Sequence, residues 1–264
     1  MDALIAREMI TEIATNLTQT VSTQQVRLLY ACESGSRAWG FPSQNSDYDV
    51  RFIYVRPRNW YLAIDSEQQR DVIEQPITNY LDISGWDLRK ALQLLRKSNP
   101  PLLEWLHSPI VYHNEADTQA QLRQLALQYF NPQACRNHYF SMARNNYREY
   151  LRSETVWIKK YFYVLRPLLA INWLETRSGF PPLEFTVLVD ELITQPLLKA
   201  EILALLARKK AGEELAQGPR NPIISAFLEQ ELVHLENTKL LTVLPEKDLT
   251  PLNEFFRAQL FDLA

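Results

Sequence analysis

Two carboxylates one residue apart, Asp47 and Asp49, open the apolar run VRFIYV, and a Gly-Ser pair, Gly35-Ser36, lies a short way upstream in ESGSRAWGFPSQNSDYDVRFIYV. In an extended segment alternate side chains share a face. Asp47, Asp49 and Arg51 therefore point one way, and Tyr48, Val50 and Phe52 the other. Carboxylates held that close repel unless a cation sits between them, and hard oxygen donors suit Mg2+ or Mn2+. Taken alone, an Asp-x-Asp pair has a plainer explanation, in which Asp47 caps a turn and Asp49 is a solvated strand start.

The Gly-Ser pair adds a second chemistry. Only six glycines occur in the chain, and Gly35 and Gly40 both flank this motif. A glycine after an apolar strand lets the backbone approach a ligand, and the following N–H groups with the Ser36 hydroxyl form an anion site. Arg37 brings a fixed positive charge suited to phosphate oxygens, or is a surface arginine on a loop. No Gly-Lys-Ser/Thr and no GxGxxG occurs, which excludes a Walker A loop and a dinucleotide fingerprint. A phosphate site and a cation site at the same end of two neighbouring strands suit a metal-bound nucleoside triphosphate.

A two-metal site needs a further anionic ligand. In ITNYLDIS, alternation sets Leu81 and Ile83 on one face and Tyr80, Asp82 and Ser84 on the other, so Asp82 is the expected third carboxylate. Its rival Asp87 stands at a helix start, where capping explains it; Asp65, Asp71 and Glu74 are weaker alternatives.

The elements that must position these residues follow from periodicity. MDALIAREMITEIATNL reads as an amphipathic helix with Ile5, Met9, Ile13 and Leu17 on one stripe. Strands are expected at residues 26–34, in DVRFIYV, and at 70–76 and 77–84. From Asp87, DLRKALQLLRKSN is a helix ended by Pro100-Pro101. Beyond about residue 114 every periodic segment has helical spacing and no strand is expected. The predicted architecture is an α+β domain with a mixed sheet over residues 1–113, then an all-helical domain over 114–264.

The motif and its surroundings resemble the DNA polymerase β-like nucleotidyltransferase superfamily. More narrowly, GSRAWGF with SDYDVRFIYV, DISGWDLRKALQLL, NPPLLEWLHSPIVY and KKYFYVLRPLLA are similar to the predicted nucleotidyltransferases linked to RNA repair pathways. The resemblance implies that Gly35 and Ser36 bind the β- and γ-phosphates of an incoming nucleotide. It implies that Asp47 and Asp49 ligate both metal ions, and that Asp82 ligates the catalytic one and can activate the acceptor hydroxyl. It also implies that the helical domain closes over the nucleotide cleft, with Lys160 and Tyr163 as nucleotide contacts. In VWIKKYFYVLRPLLA, Lys159, Tyr163 and Arg166 fall at near-helical spacing, while Phe162, Leu165 and Leu169 can pack inward. An amphipathic helix with a solvated basic face accounts for the same pattern.

The implied activity is transfer of a nucleoside monophosphate from a nucleoside triphosphate, ATP being the expected donor, to an acceptor hydroxyl. Mg2+ or Mn2+ is the expected cofactor, and the expected acceptor is an RNA 3′ end. The alternatives are a small-molecule or protein nucleotidylyltransferase, and a non-catalytic nucleotide-binding regulatory module. With net charge −3, the whole molecule does not attract phosphate, so a nucleic-acid partner needs a local basic face. Two cysteines without CxxC spacing exclude a disulfide framework and point to the cytoplasm. No stretch has the uninterrupted apolar length of a membrane span, so no membrane partner is expected.

Overall fold

The structure is a computed structural model that describes residues 5–43, 45–78, 80–213, 215–238 and 247–262. The chain divides into two compact units: residues 1–38, 47–130 and 245–264 form the first, and residues 39–46 and 131–244 the second. The boundary expected between residues 113 and 114 falls inside the first unit, at the end of a strand spanning Val111–Asn114.

The first unit is α+β. Its strands are β1 (Arg27–Glu33), β2 (Tyr48–Val55), β3 (Val72–Glu74), β4 (Leu81–Asp87) and β5 (Val111–Asn114), in the sheet order β3-β4-β2-β1-β5. The β2–β4 pair is parallel; the other pairs are antiparallel. Its helices are α1 (Arg7–Gln24), α2 (Gly35–Ala38), α3 (Arg58–Tyr61), α4 (Leu88–Arg96), α5 (Pro100–Leu106) and α6 (Thr118–Tyr129).

Alternation in β2 sends Val50, Phe52 and Tyr54 into a core with Ile13 and Leu17 of α1 and Leu81 and Ile83 of β4, as the spacing of each segment predicts. Gly85 makes room for this packing, because a β-carbon there would stand 2.2 Å from the Phe52 ring of its register partner. Asp87 is buried and caps α4 by accepting the Arg89 N–H at 2.8 Å.

Three expectations are corrected here. Pro100 and Pro101 do not end a helix; they begin α5, where proline's fixed φ and missing N–H fit the first turn and the Asn99 side chain accepts the Leu102 N–H at 3.1 Å. The strand expected over 77–84 starts only at Leu81, because Leu81 N–H closes a turn onto the Thr78 carbonyl at 2.8 Å. Strand also occurs past residue 114, since Thr155–Trp157 (β6) pairs antiparallel with Gln217–Pro219 (β7) around the buried Val156.

Apart from that ribbon, the second unit is built from α7 (Pro132–Tyr150), α8 (Lys160–Thr176), α9 (Phe185–Leu192), α10 (Pro196–Lys210) and α11 (Pro222–Asn237). Phe41, Phe162 and Phe185 form an aromatic cluster within it, with centroids 5.0, 5.4 and 5.6 Å apart. The last described helix, α12 (Thr250–Gln259), belongs to the first unit. No helix among the described residues is long and apolar enough to cross a membrane.

Candidate active site

The parallel pairing of β2 and β4 sets Asp49 directly opposite Asp82. Neighbouring strands lie about 4.8 Å apart, so two carboxylates in register on one face are forced together. The Arg51 guanidinium, on the same face of β2, holds them. Its Nη2 stands 3.1 Å from Asp49 Oδ1 and 2.7 Å from Asp82 Oδ2, and its Nη1 donates to the Asp82 and Val50 carbonyls at 3.0 Å each. Burial raises the Asp49 carboxyl above the ordinary range; Arg51 opposes that rise, while the charges of Asp82 and Asp47 add to it.

Gly35 lies against this pair. It begins α2 with φ +58, and a β-carbon on it would stand 2.0 Å from Asp49 Oδ2. The Ser34 N–H donates to the Asp49 carbonyl at 2.8 Å, tying the Gly-Ser turn to the mouth of β2. Ser36 is half-buried in the same short helix.

Beneath the turn sits a carboxylate that local patterning does not reveal. Glu33, the last residue of β1, is fully buried. It accepts the Asp49 N–H at 2.9 Å and the Tyr112 hydroxyl at 2.5 Å. Burial pushes its carboxyl up to about 7, against the lowering by these two hydrogen bonds.

Arg37 is 7% exposed and is no surface arginine. Its Nε donates to the Asp47 carbonyl at 3.2 Å and lies 4.0 Å from Glu33, and its guanidinium stacks 3.7 Å from the Tyr48 ring centroid. It thereby joins α2 to the Asp-Tyr-Asp segment.

The structure therefore brings Gly35, Ser36, Arg37, Asp49 and Asp82 to one end of the central strands β1, β2 and β4. Asp47 precedes β2 there and is exposed. Among the described residues no group of three or more His, Cys, Asp or Glu side chains is gathered closely enough to hold a metal ion. The cation gathered by Asp49 and Asp82 is Arg51. The donor set still fits a hard divalent ion in kind, being two register-paired carboxylates that already converge on positive charge, with Asp47 beside them. The other carboxylates are engaged elsewhere: Asp87 accepts the Tyr61 hydroxyl at 2.6 Å, Asp71 pairs with Lys90 at 2.9 Å, Asp65 accepts from Gln69 at 2.8 Å, and Glu74 pairs with Arg70.

In the second unit, Lys160 and Tyr163 stand one turn apart on α8. Lys160 Nζ lies 4.1 Å from the Tyr150 ring centroid and 4.8 Å from that of Tyr163. Partial burial, with the Lys159 charge second, lowers the Lys160 ammonium below the usual lysine range. The shared basic face expected of Lys159, Tyr163 and Arg166 does not extend to Arg166, which is buried with its guanidinium 4.6 Å from the Trp39 ring centroid.

Residues 9–258 match the RlaP family, described as the RNA repair pathway DNA polymerase beta family. A Bacillus subtilis (strain 168) protein, named Uncharacterized protein YcgL, is 54% identical over 225 residues, covering 85% of this chain and 86% of that protein. The crystal structure of a nucleotidyltransferase-like protein from Exiguobacterium sibiricum 255-15 is 12% identical with a TM-score of 0.32, over 86% of this chain and 75% of that one. With its family match running through both compact units, the chain belongs to the RNA repair pathway DNA polymerase beta family.

Proposed function

We propose that the chain transfers a nucleoside monophosphate from a nucleoside triphosphate, with ATP as donor, to a hydroxyl at an RNA 3′ end. The observation that carries this reading is the register pairing of Asp49 with Asp82 beside the Gly35-Ser36 turn. That end of the sheet offers carboxylates for a cation and backbone N–H groups for phosphate within one contact of each other.

Asp47, Asp49 and Asp82 would hold Mg2+ or Mn2+, which when bound supplies Lewis-acid stabilisation of charge on the phosphoryl oxygens. Gly35 and Ser36 receive the β- and γ-phosphates, and the missing side chain at Gly35 keeps that approach open. The acceptor hydroxyl oxygen bonds to the α-phosphorus, the bond from that phosphorus to the α–β bridging oxygen breaks, and pyrophosphate leaves. The hydroxyl proton passes to the Asp82 carboxylate. Arg51 offsets part of the charge of Asp49 and Asp82 in the free protein, and it must yield some of that contact when another cation takes the pair. Lys160 and Tyr163 offer a charge and a ring suited to a triphosphate and a base.

Pyrophosphate release from ATP with Mg2+ and an RNA oligonucleotide tests the reading. Release that survives Asp49→Asn and Asp82→Asn alike would remove it.

A further inference from the structure

The turn that delivers Asp82 contains a residue that folding alone does not ask for. Leu81 N–H donates to the Thr78 carbonyl at 2.8 Å, and Tyr80, directly before Leu81, has φ +65. A left-handed residue there favours glycine or asparagine, and a bulky side chain carries strain. The chain places a tyrosine there, and its side chain is not spent on packing. Tyr80 is 64% exposed, and among the described residues its ring and hydroxyl have no aromatic or hydrogen-bond partner. Ile77, beside the same turn, is 70% exposed.

The backbone of Tyr80 does have a structural task. Its carbonyl accepts the Tyr48 N–H at 2.7 Å, and Tyr48 lies between Asp47 and Asp49. That contact continues the register that sets Asp49 opposite Asp82. It needs no aromatic side chain. A strained backbone position that carries a solvent-facing ring, two residues before a proposed catalytic carboxylate, is a common mark of ligand contact.

We infer that Tyr80 is a stacking platform for a nucleobase at the mouth of the site, with Ile77 extending its apolar surface. The inference rests on the nucleotidyltransferase reading, because Asp82, two residues on, and its partner Asp49 are what bring a nucleotide to this rim. A base has a π-face whatever its sequence, so a single aromatic platform accepts any of the four. The base belongs to the donor triphosphate or to the terminal nucleotide of the RNA acceptor.

Two fluorescent probes distinguish these sources: an RNA oligonucleotide ending in 2-aminopurine, and 2-aminopurine riboside triphosphate. Each is titrated with the full chain and Mg2+, because stacking on an aromatic ring quenches the base. Tyr80→Phe keeps the platform, whereas Tyr80→Asn and Tyr80→Gly remove it and suit the left-handed backbone. The expected result is quenching in the unmodified chain and in Tyr80→Phe. In Tyr80→Asn the affinity of one probe falls roughly 5- to 150-fold, with a melting temperature equal to or above that of the unmodified chain. The probe affected names the base that stacks. Equal binding and quenching of both probes in Tyr80→Asn would overturn the platform and leave the nucleotidyltransferase reading standing. A lower melting temperature in both Tyr80→Asn and Tyr80→Gly would also overturn it, since the side chain would then serve the fold. Failure of the unmodified chain to bind either probe would overturn both readings.

Discussion

Gly35 and Asp49 touch: a β-carbon on Gly35 would stand 2.0 Å from Asp49 Oδ2, so any side chain at position 35 displaces the carboxylate that faces Asp82. The left-handed φ of +58 adds strain for every residue but glycine. Gly35→Ala is therefore expected to lower stability by about 1–3 kcal/mol, measured by chemical denaturation. It should also slow pyrophosphate release roughly a hundredfold, the scale of a displaced reacting group. Wild-type kinetics in a folded Gly35→Ala chain would separate this contact from the chemistry.

Arg51 is the counter-charge of two half-buried carboxylates. Arg51→Met keeps the stem and leaves Asp49 and Asp82 facing each other unneutralised. Denaturation in EDTA should show a loss of about 1–3 kcal/mol, and Mg2+ should return part of it. An Arg51→Met chain whose melting temperature ignores both EDTA and Mg2+ would mean that the pair binds no divalent ion.

Glu33 sets a pH dependence. Its carboxyl moves from an ordinary 4.5 to about 7 in the folded chain, so the native state holds a proton that the unfolded chain has released. Stability from this group is present in full below pH 4.5 and is lost as pH rises through about 7. Denaturation curves in EDTA across that range should slope downward with pH, and Glu33→Gln should flatten the slope. An identical slope in the variant would assign it to other groups.

Both cysteines, Cys32 and Cys135, are buried thiols outside any disulfide, and burial pushes the Cys32 thiol up to about 12. Neither should react with a thiol reagent at neutral pH until the chain unfolds, when both titrate. Rapid labelling of the native chain would contradict their placement.

Much of the site was legible because it is local. The two-residue period separates Asp49 and Arg51 from Val50 and Phe52, and the same period singles out Asp82 from Leu81 and Ile83. What the period cannot supply is register between strands far apart in sequence. The pairing of Asp49 with Asp82 depends on a parallel contact between β2 and β4, which α3 and β3 separate in sequence, and Arg51's hold on both carboxylates depends on that pairing. Glu33 carries no signal in the sequence, because a strand-end carboxylate is normally solvated, and only the fold brings Tyr112 from β5 to meet it. Arg37, expected at a phosphate, and Arg166, expected on a shared basic helix face, are both buried against aromatic rings. Pro100 carries two opposite meanings, helix stop and helix start, and the Asn99 cap decides between them.

The most direct measurement is transfer of label from nucleoside triphosphates radiolabelled at the α-phosphorus, each in turn, to a mixed pool of RNA oligonucleotides and protein, with Mg2+ or Mn2+. The expected result is label on RNA, strongest with ATP, that disappears in the Asp47→Ala/Asp49→Ala double variant. Label on protein alone would replace the acceptor and keep the chemistry. Nucleotide bound in the presence of metal, with no acceptor labelled and no pyrophosphate released, would contradict a transferase and leave a nucleotide-binding module.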